Sequence, residues 1–491
     1  MKIRRWAVLL VLAGQTALAQ GLPTTVTDAL SKVGLSADHL GVAVIPVQGP
    51  IDGLWHNTNT PLQPASTMKL VTSVVALEQL GPNHRGSTDL LIDGRVRQGV
   101  LQGALILRGR ADPDLDVPAL WSLLKRLRTQ GVHEIRGDVV LDRSYFSPPR
   151  FDLGLPPFDE EPSAQYNVIP DALYLNQGIL HYEFVANDRQ LRVRTAPPLY
   201  GVTVTSRMQL VDGLCKDWDD DWQLPTVIQS PPASQIKVVM HGKFPRGCKA
   251  TAELQLFDRD LLANRLIRQL WADLGGSLRG RVVAGTAAGT AQLVARHEAR
   301  PLAEVLRHMN KASDNPLTRL MYLELGARAP ADVQRRYATT SLVSEAVVRD
   351  WFARHEIATD GMVLDNGSGL SRNERVTPRQ MAMMLRTVWQ KHYAPELIAS
   401  MPLVGVDGTM RNRLKQGAAS ARARIKTGTL RNVTAIAGYV QDAEQRWWVV
   451  VAMINHAQAD TGKPALDAMI EWVASHPSAA VLGTTLAPTQ P

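Results

Sequence analysis

The feature that most constrains this chain is a change of texture along it: helical periodicity towards both ends, and a long middle built of short strand-like runs. From Met68 the apolar residues Met68, Val71, Val74, Val75 and Leu77 recur at helical spacing until Gly81-Pro82 ends the run. Helical patterning returns over 256–274, 301–309 and 464–473, and Pro316 suits the first turn of a further helix. Between these ends lie strand-like pieces at 101–107, 137–141, 191–194 and 235–240, separated by Gly, Pro and Asp clusters such as 147–157, with one helix at 118–129. A strand is expected at 41–47, and three more at 423–430, 433–440 and 447–454, whose short connections predict antiparallel pairing. At 491 residues the chain exceeds what one core holds. The expected fold class is therefore α/β in the α+β sense, an antiparallel sheet flanked by helices. That domain would be discontinuous, at 20–88 and 259–476, with 89–258 an inserted region of one or two small strand-rich domains and 477–491 a loose tail.

The first residues read as a secretory signal. A basic start at Lys2 to Arg5 precedes an apolar run from Trp6 to Ala13, and Ala17-Leu18-Ala19 supplies a small-residue cleavage site, so cleavage is expected after Ala19. The alternative, an uncleaved anchor, requires about 20 apolar residues, more than this run supplies. The mature protein is expected in the periplasm, soluble or peripherally attached to membrane or cell wall. The chain's net charge of +8 loses Lys2, Arg4 and Arg5 with the leader, a mild surplus that does not single out nucleic acid as a partner. Cys215 and Cys248 are the only cysteines, and an even, sparse count in an exported chain favours one disulfide over two buried thiols. No Asp, His or Glu cluster has metal-ligand spacing, so neither metal nor cofactor is expected.

Three short motifs carry chemistry. In Ser66-Thr67-Met68-Lys69 the three-residue spacing puts an amine on the helical face of a hydroxyl, within reach of it. A serine hydroxyl is a weak nucleophile until a base takes its proton, and a lysine serves only if burial or a nearby cation lowers its pKa. Lys426 is the candidate cation. Ser313-Asp314-Asn315 offers a hydroxyl and an amide at alternate positions after a helix. Lys426-Thr427-Gly428-Thr429 lies on an expected strand, with Lys426 and Gly428 on one side, Thr427 and Thr429 on the other, and glycine admitting close approach of a substrate. Alone, each motif is bland: a helix start with a solvated lysine, a loop cap, an edge turn.

Together and in this order, the three match the set shared by class A β-lactamases and penicillin-binding proteins. The chain resembles the D-alanyl-D-alanine carboxypeptidase/endopeptidase family of low-molecular-mass, class C penicillin-binding proteins over nearly its whole mature length. Further agreement lies in Gly109-Arg110-Ala111-Asp112-Pro113, Gly137-Asp138, Tyr166-Asn167, Asp365 to Arg372 and Asp407-Gly408-Thr409-Met410. The long interval from Ser66 to Ser313 matches this family rather than β-lactamases. The resemblance implies a penicillin-binding transpeptidase-like fold with Ser66 as acylated nucleophile and Lys69 as general base. It also implies Ser313 as proton relay tuned by Lys426, and Asn315 holding the substrate amide. Thr427, Gly428 and Thr429 would bind the substrate end, and backbone N–H groups of Ser66 and Thr429 would form an oxyanion hole. Implied partners are peptidoglycan peptides ending in D-Ala-D-Ala, D-Ala cross-links, and β-lactams as covalent inhibitors. A serine β-lactamase and a non-catalytic wall-binding protein are the alternatives. The segment Asp365 to Ser368 is assigned to structure rather than chemistry, Trp447-Trp448 to the core, and Arg422 and Arg424 to a solvated face.

Overall fold

The computed structural model describes residues 21–155, 161–230 and 235–481. The expected secretory signal with its expected cleavage site, and most of the expected tail, lie outside the described residues. No helix among the described residues is long and apolar enough to cross a membrane.

The central sheet has five antiparallel strands in the order Ala423–Leu430, Val433–Gln441, Trp447–Asn455, Leu40–Pro46 and Leu54–His56. Its strands are apolar almost throughout because both faces are covered. Ala43, Ile45, Ala435, Ala437, Val449 and Val451 face one core, shared with helices Lys69–Leu80, Leu302–Ala312, Asn315–Ala327, Thr340–Arg354 and Pro378–Trp389. The alternate residues Val42, Val44, Ile436, Val450 and Ala452 face the opposite core, closed by helices Thr24–Ser31 and Lys463–Ser475. Trp448 is buried and donates its indole N–H to Asp442 Oδ2 at 2.9 Å, which places it in the core as expected.

A separate apolar core forms in the middle of the chain. A seven-stranded sheet built on the hairpin Ser87–Arg97 and Val100–Arg110 packs beside helices Val117–Thr129 and Arg259–Asp273. Two smaller sheets follow within it, one of Leu180–Ala186, Leu191–Ala196 and Lys249–Leu254, the other centred on Gln235–Pro245. The return to the first body was expected at 259. Leu262, Leu266, Ile267 and Trp271 instead belong to the middle core, and Gln292–Glu298 pairs antiparallel with Ser87–Arg97. The apolar stripe of the helix Arg259–Asp273 was legible, but a stripe does not say which core it faces. Val168, Ala172 and Tyr174 reach back from the middle and pack in the helical core, bringing this segment to the site described below.

Cys215 and Cys248 are disulfide-bonded, with Cα atoms 5.4 Å apart. The bridge spans 33 residues. Replacing both cysteines by serine is therefore expected to lower the stability of the middle region by about 3 kcal/mol, read as a lower urea midpoint; an unchanged midpoint would contradict this.

Candidate active site

Ser66 sits in a short 3-10 turn, Ala65–Met68, that leads directly into the helix Lys69–Leu80. Thr67 fastens the turn by donating its hydroxyl to the Pro64 carbonyl at 2.7 Å. Lys69, the first residue of the helix, is fully buried. Its Nζ lies 3.0 Å from Ser66 Oγ and donates to Asn315 Oδ1 and to the Ser368 carbonyl, both at 2.6 Å. A neutral amine has two N–H groups and one lone pair. With both donors engaged by Asn315 and Ser368, the lone pair is left for the Ser66 hydroxyl.

Electrostatics favour that neutral form. Burial pulls the Lys69 pKa down to about 7, Arg319 adds to the fall, and Asp314 and Glu374 oppose it. Desolvation dominates at Lys69. Lys426, the cation expected beside it, does interact with it: burial, and then repulsion between the two amines, hold the Lys426 amine well below its ordinary range.

The other two motifs meet this pair. Ser313 closes the helix Leu302–Ala312 in a left-handed conformation (φ 60°, ψ 39°), which turns its hydroxyl to 2.8 Å from Lys426 Nζ. Asp314 caps the next helix by accepting from Leu317 N at 2.8 Å, and Asn315 follows at that helix start, donating to the Tyr166 carbonyl at 3.3 Å. The buried Asn310 steadies this junction through Ser73 Oγ at 3.0 Å and Ser400 Oγ at 2.9 Å. Lys426 lies on the edge strand Ala423–Leu430 and also donates to the Thr427 carbonyl at 2.9 Å. Thr427 Oγ1 donates to Thr409 Oγ1 at 2.7 Å, and Thr429 is exposed. Lys426 and Gly428 are buried and Thr427 and Thr429 face outward, the alternation the sequence predicts.

Glycine at 428 has a different cause from the one expected. A Cβ there would lie 2.8 Å from the Pro64 carbonyl and 2.9 Å from Ser66 N, so the small residue lets the strand press against the Ser66 turn. The loop expected to be purely structural also joins the site, since the Ser368 carbonyl is a direct partner of Lys69. Its neighbours Gly367 and Gly369 have φ of +70° and +80°. A Cβ on Gly369 would sit 1.8 Å from the Ala65 carbonyl oxygen. Of the flanking arginines, Arg422 donates to the Asp442 carbonyl, and both are half-buried at the strand margin. No group of three or more His, Cys, Asp or Glu side chains among the described residues is placed to hold a metal.

The model of the D-Ala-D-Ala carboxypeptidase 3 (S13) family matches residues 22–476. The chain belongs to this family. It is a serine-type D-Ala-D-Ala carboxypeptidase with the penicillin-binding fold. The D-alanyl-D-alanine carboxypeptidase DacB of Haemophilus influenzae is 28% identical over 405 residues, covering 82% of each chain. A D-alanyl-D-alanine carboxypeptidase of an Actinomadura species is 27% identical, covering 78% of this chain and 71% of the relative. The crystal structure of penicillin binding protein 4 (dacB) from Haemophilus influenzae matches with a TM-score of 0.75 and 25% identity, over 92% of this carboxypeptidase and 99% of that chain.

The contact between loop and turn makes a direct prediction. Gly369→Ala must push the 365–369 loop off the Ser66 turn and withdraw an acceptor from Lys69. Acylation by a chromogenic penicillin is expected to slow about tenfold or more, and an unchanged rate would show that the loop does not set the geometry.

Proposed function

We propose that the carboxypeptidase works through an acyl-enzyme on Ser66. Ser66 Oγ attacks the carbonyl joining the last two D-alanines of a peptidoglycan stem peptide, and the Lys69 amine takes its proton. The tetrahedral oxyanion is held by the backbone N–H groups of Ser66 and Thr429, donors of a kind worth about 3 kcal/mol each in comparable sites. Ser313 passes a proton to the departing D-alanine, and the cationic or neutral state of Lys426 tunes that transfer. Asn315 holds the substrate amide, while Lys426, Thr427 and Thr429 receive the terminal carboxylate. Water then hydrolyses the ester and frees Ser66.

The observation that carries this proposal is the pairing of two buried amines with two hydroxyls, Lys69 with Ser66 at 3.0 Å and Lys426 with Ser313 at 2.8 Å. Burying two lysines costs several kcal/mol. An arrangement that keeps both is understood when each handles a proton. The same chemistry cleaves a D-alanyl cross-link, because only the leaving amine changes, so endopeptidase action belongs to the same proposal. A β-lactam carbonyl would acylate Ser66 in the same way and inhibit where its ester resists water. We place this chemistry outside the cytoplasm, on exported protein meeting wall material. In domain terms, residues 21–86 and the returning half of the chain form the peptidase body, and the inserted region runs from the strand Ser87–Arg97 through Glu298.

Ser66→Ala is expected to abolish both D-alanine release from a pentapeptide and covalent labelling by a fluorescent penicillin; labelling that survives would remove Ser66 from the mechanism. Since Lys69 acts only when neutral, kcat/KM should rise with pH until pH passes about 7. Below that limb it should fall about tenfold per pH unit. A profile flat across this range would contradict a lysine base.

A further inference from the structure

Glu374 is a fully buried carboxyl that takes no part in the proposed chemistry, yet it organises the loop that touches Lys69. Its Oε1 accepts the N–H groups of Gly367 at 2.7 Å and Asn366 at 3.1 Å, with Asp365 at 3.4 Å, and its Oε2 accepts Gly369 N–H at 2.8 Å. The loop is thus wound around a single side chain. Thr72 on the Lys69 helix donates to the Gly367 carbonyl at 2.8 Å, and Asn366 Oδ1 accepts from Ser368 N at 3.1 Å and Ser368 Oγ at 2.6 Å. These contacts leave the Ser368 carbonyl fixed on Lys69 Nζ.

We propose, on the assignment of Lys69 as base above, that Glu374 is a positioning residue for catalysis, whose negative charge and clamp on the 365–369 loop together set how Lys69 presents its lone pair to Ser66. Burial pushes Glu374 up to about 7, and the backbone N–H groups aimed at both of its oxygens act against that rise by favouring the ionised carboxylate. The charged groups acting on this cluster are few. Asp314 and Glu374 raise the Lys69 pKa and Arg319 lowers it, while Lys426 is the second buried amine beside it. Arg319 in turn feels Glu374 and Asp365, and Tyr322 feels both carboxyls.

An amide cannot replace this carboxylate. Glutamine offers one acceptor oxygen and an NH2 group, which would face either Gly369 N–H or the N–H groups on the other side of the loop. Removing the negative charge also removes one of the two groups that hold the Lys69 pKa up. The limb therefore moves downward in pH when the charge is lost.

The test measures the pH dependence of acylation by a chromogenic penicillin in the full mature chain for wild type, Glu374→Gln, Glu374→Asp and Ser66→Ala. For Glu374→Gln the expected result is acylation about tenfold or more slower with the acid limb about one pH unit lower. Glu374→Asp keeps the charge but withdraws the oxygens by one methylene. It is expected to slow acylation and leave the limb where wild type has it. A merely structural carboxyl would change rate without moving the limb, so a Glu374→Gln limb coincident with wild type overturns the inference. Should Glu374→Gln fail to melt cooperatively, Glu374→Asp tests the clamp alone: slower acylation supports the part of the inference that rests on the loop, and wild-type acylation overturns it. Acylation that persists in Ser66→Ala would overturn the underlying mechanism as well, whereas an unmoved Glu374→Gln limb with Ser66-dependent acylation overturns the role of Glu374 alone.

Discussion

The removal of the Lys69 amine from water is the constraint around which the site is organised. A lysine at a helix start ordinarily points to solvent and keeps its proton. Here the Ser66 turn, the Asn315 helix and the 365–369 loop close over it and supply polar partners for its nitrogen. Desolvation lowers its proton affinity far more cheaply than a dedicated positive charge would, because adding a cation brings its own desolvation cost. That explains why Arg319 is an auxiliary influence on Lys69, and why both Asp314 and Glu374 can sit nearby without restoring an ordinary lysine.

The fold delivers those three closures from remote parts of the chain. The central sheet fixes the edge strand carrying Lys426, and the hydrophobic core beneath it fixes the helix that begins at Lys69. Gly428 and Gly369 then allow the strand and the loop to approach the Ser66 turn at distances that a side chain would forbid. The middle region contributes as well, since the segment carrying Tyr166 packs on the helical core and its carbonyl orients Asn315. Site geometry therefore depends on backbone approach as much as on the reactive side chains.

Much of this was legible in the sequence, for physical reasons. The strands at the carboxyl end announced themselves by length, apolar content and short connections, and the structure has them at Ala423–Leu430, Val433–Gln441 and Trp447–Asn455. Motif chemistry pointed to Ser66, Lys69, Ser313, Asn315 and Lys426, and the folded chain brings all five together. Other parts were silent. Ser368 acts through its carbonyl, which every residue possesses, so nothing in its side chain marks it. Arg319 and Glu374 are single charges in otherwise ordinary segments, and their importance comes from burial that only tertiary packing creates. The change of core near Glu298 was missed because amphipathic spacing reveals a buried face without naming what covers it.

The central claim is that Lys69 is a neutral amine for much of its time at neutral pH. Its most direct test is an NMR titration of lysine-labelled protein, with the Lys69 signal identified by its disappearance in Lys69→Met. The account predicts that this resonance titrates at about 7, and titration near the ordinary lysine value of 10.5 would contradict it.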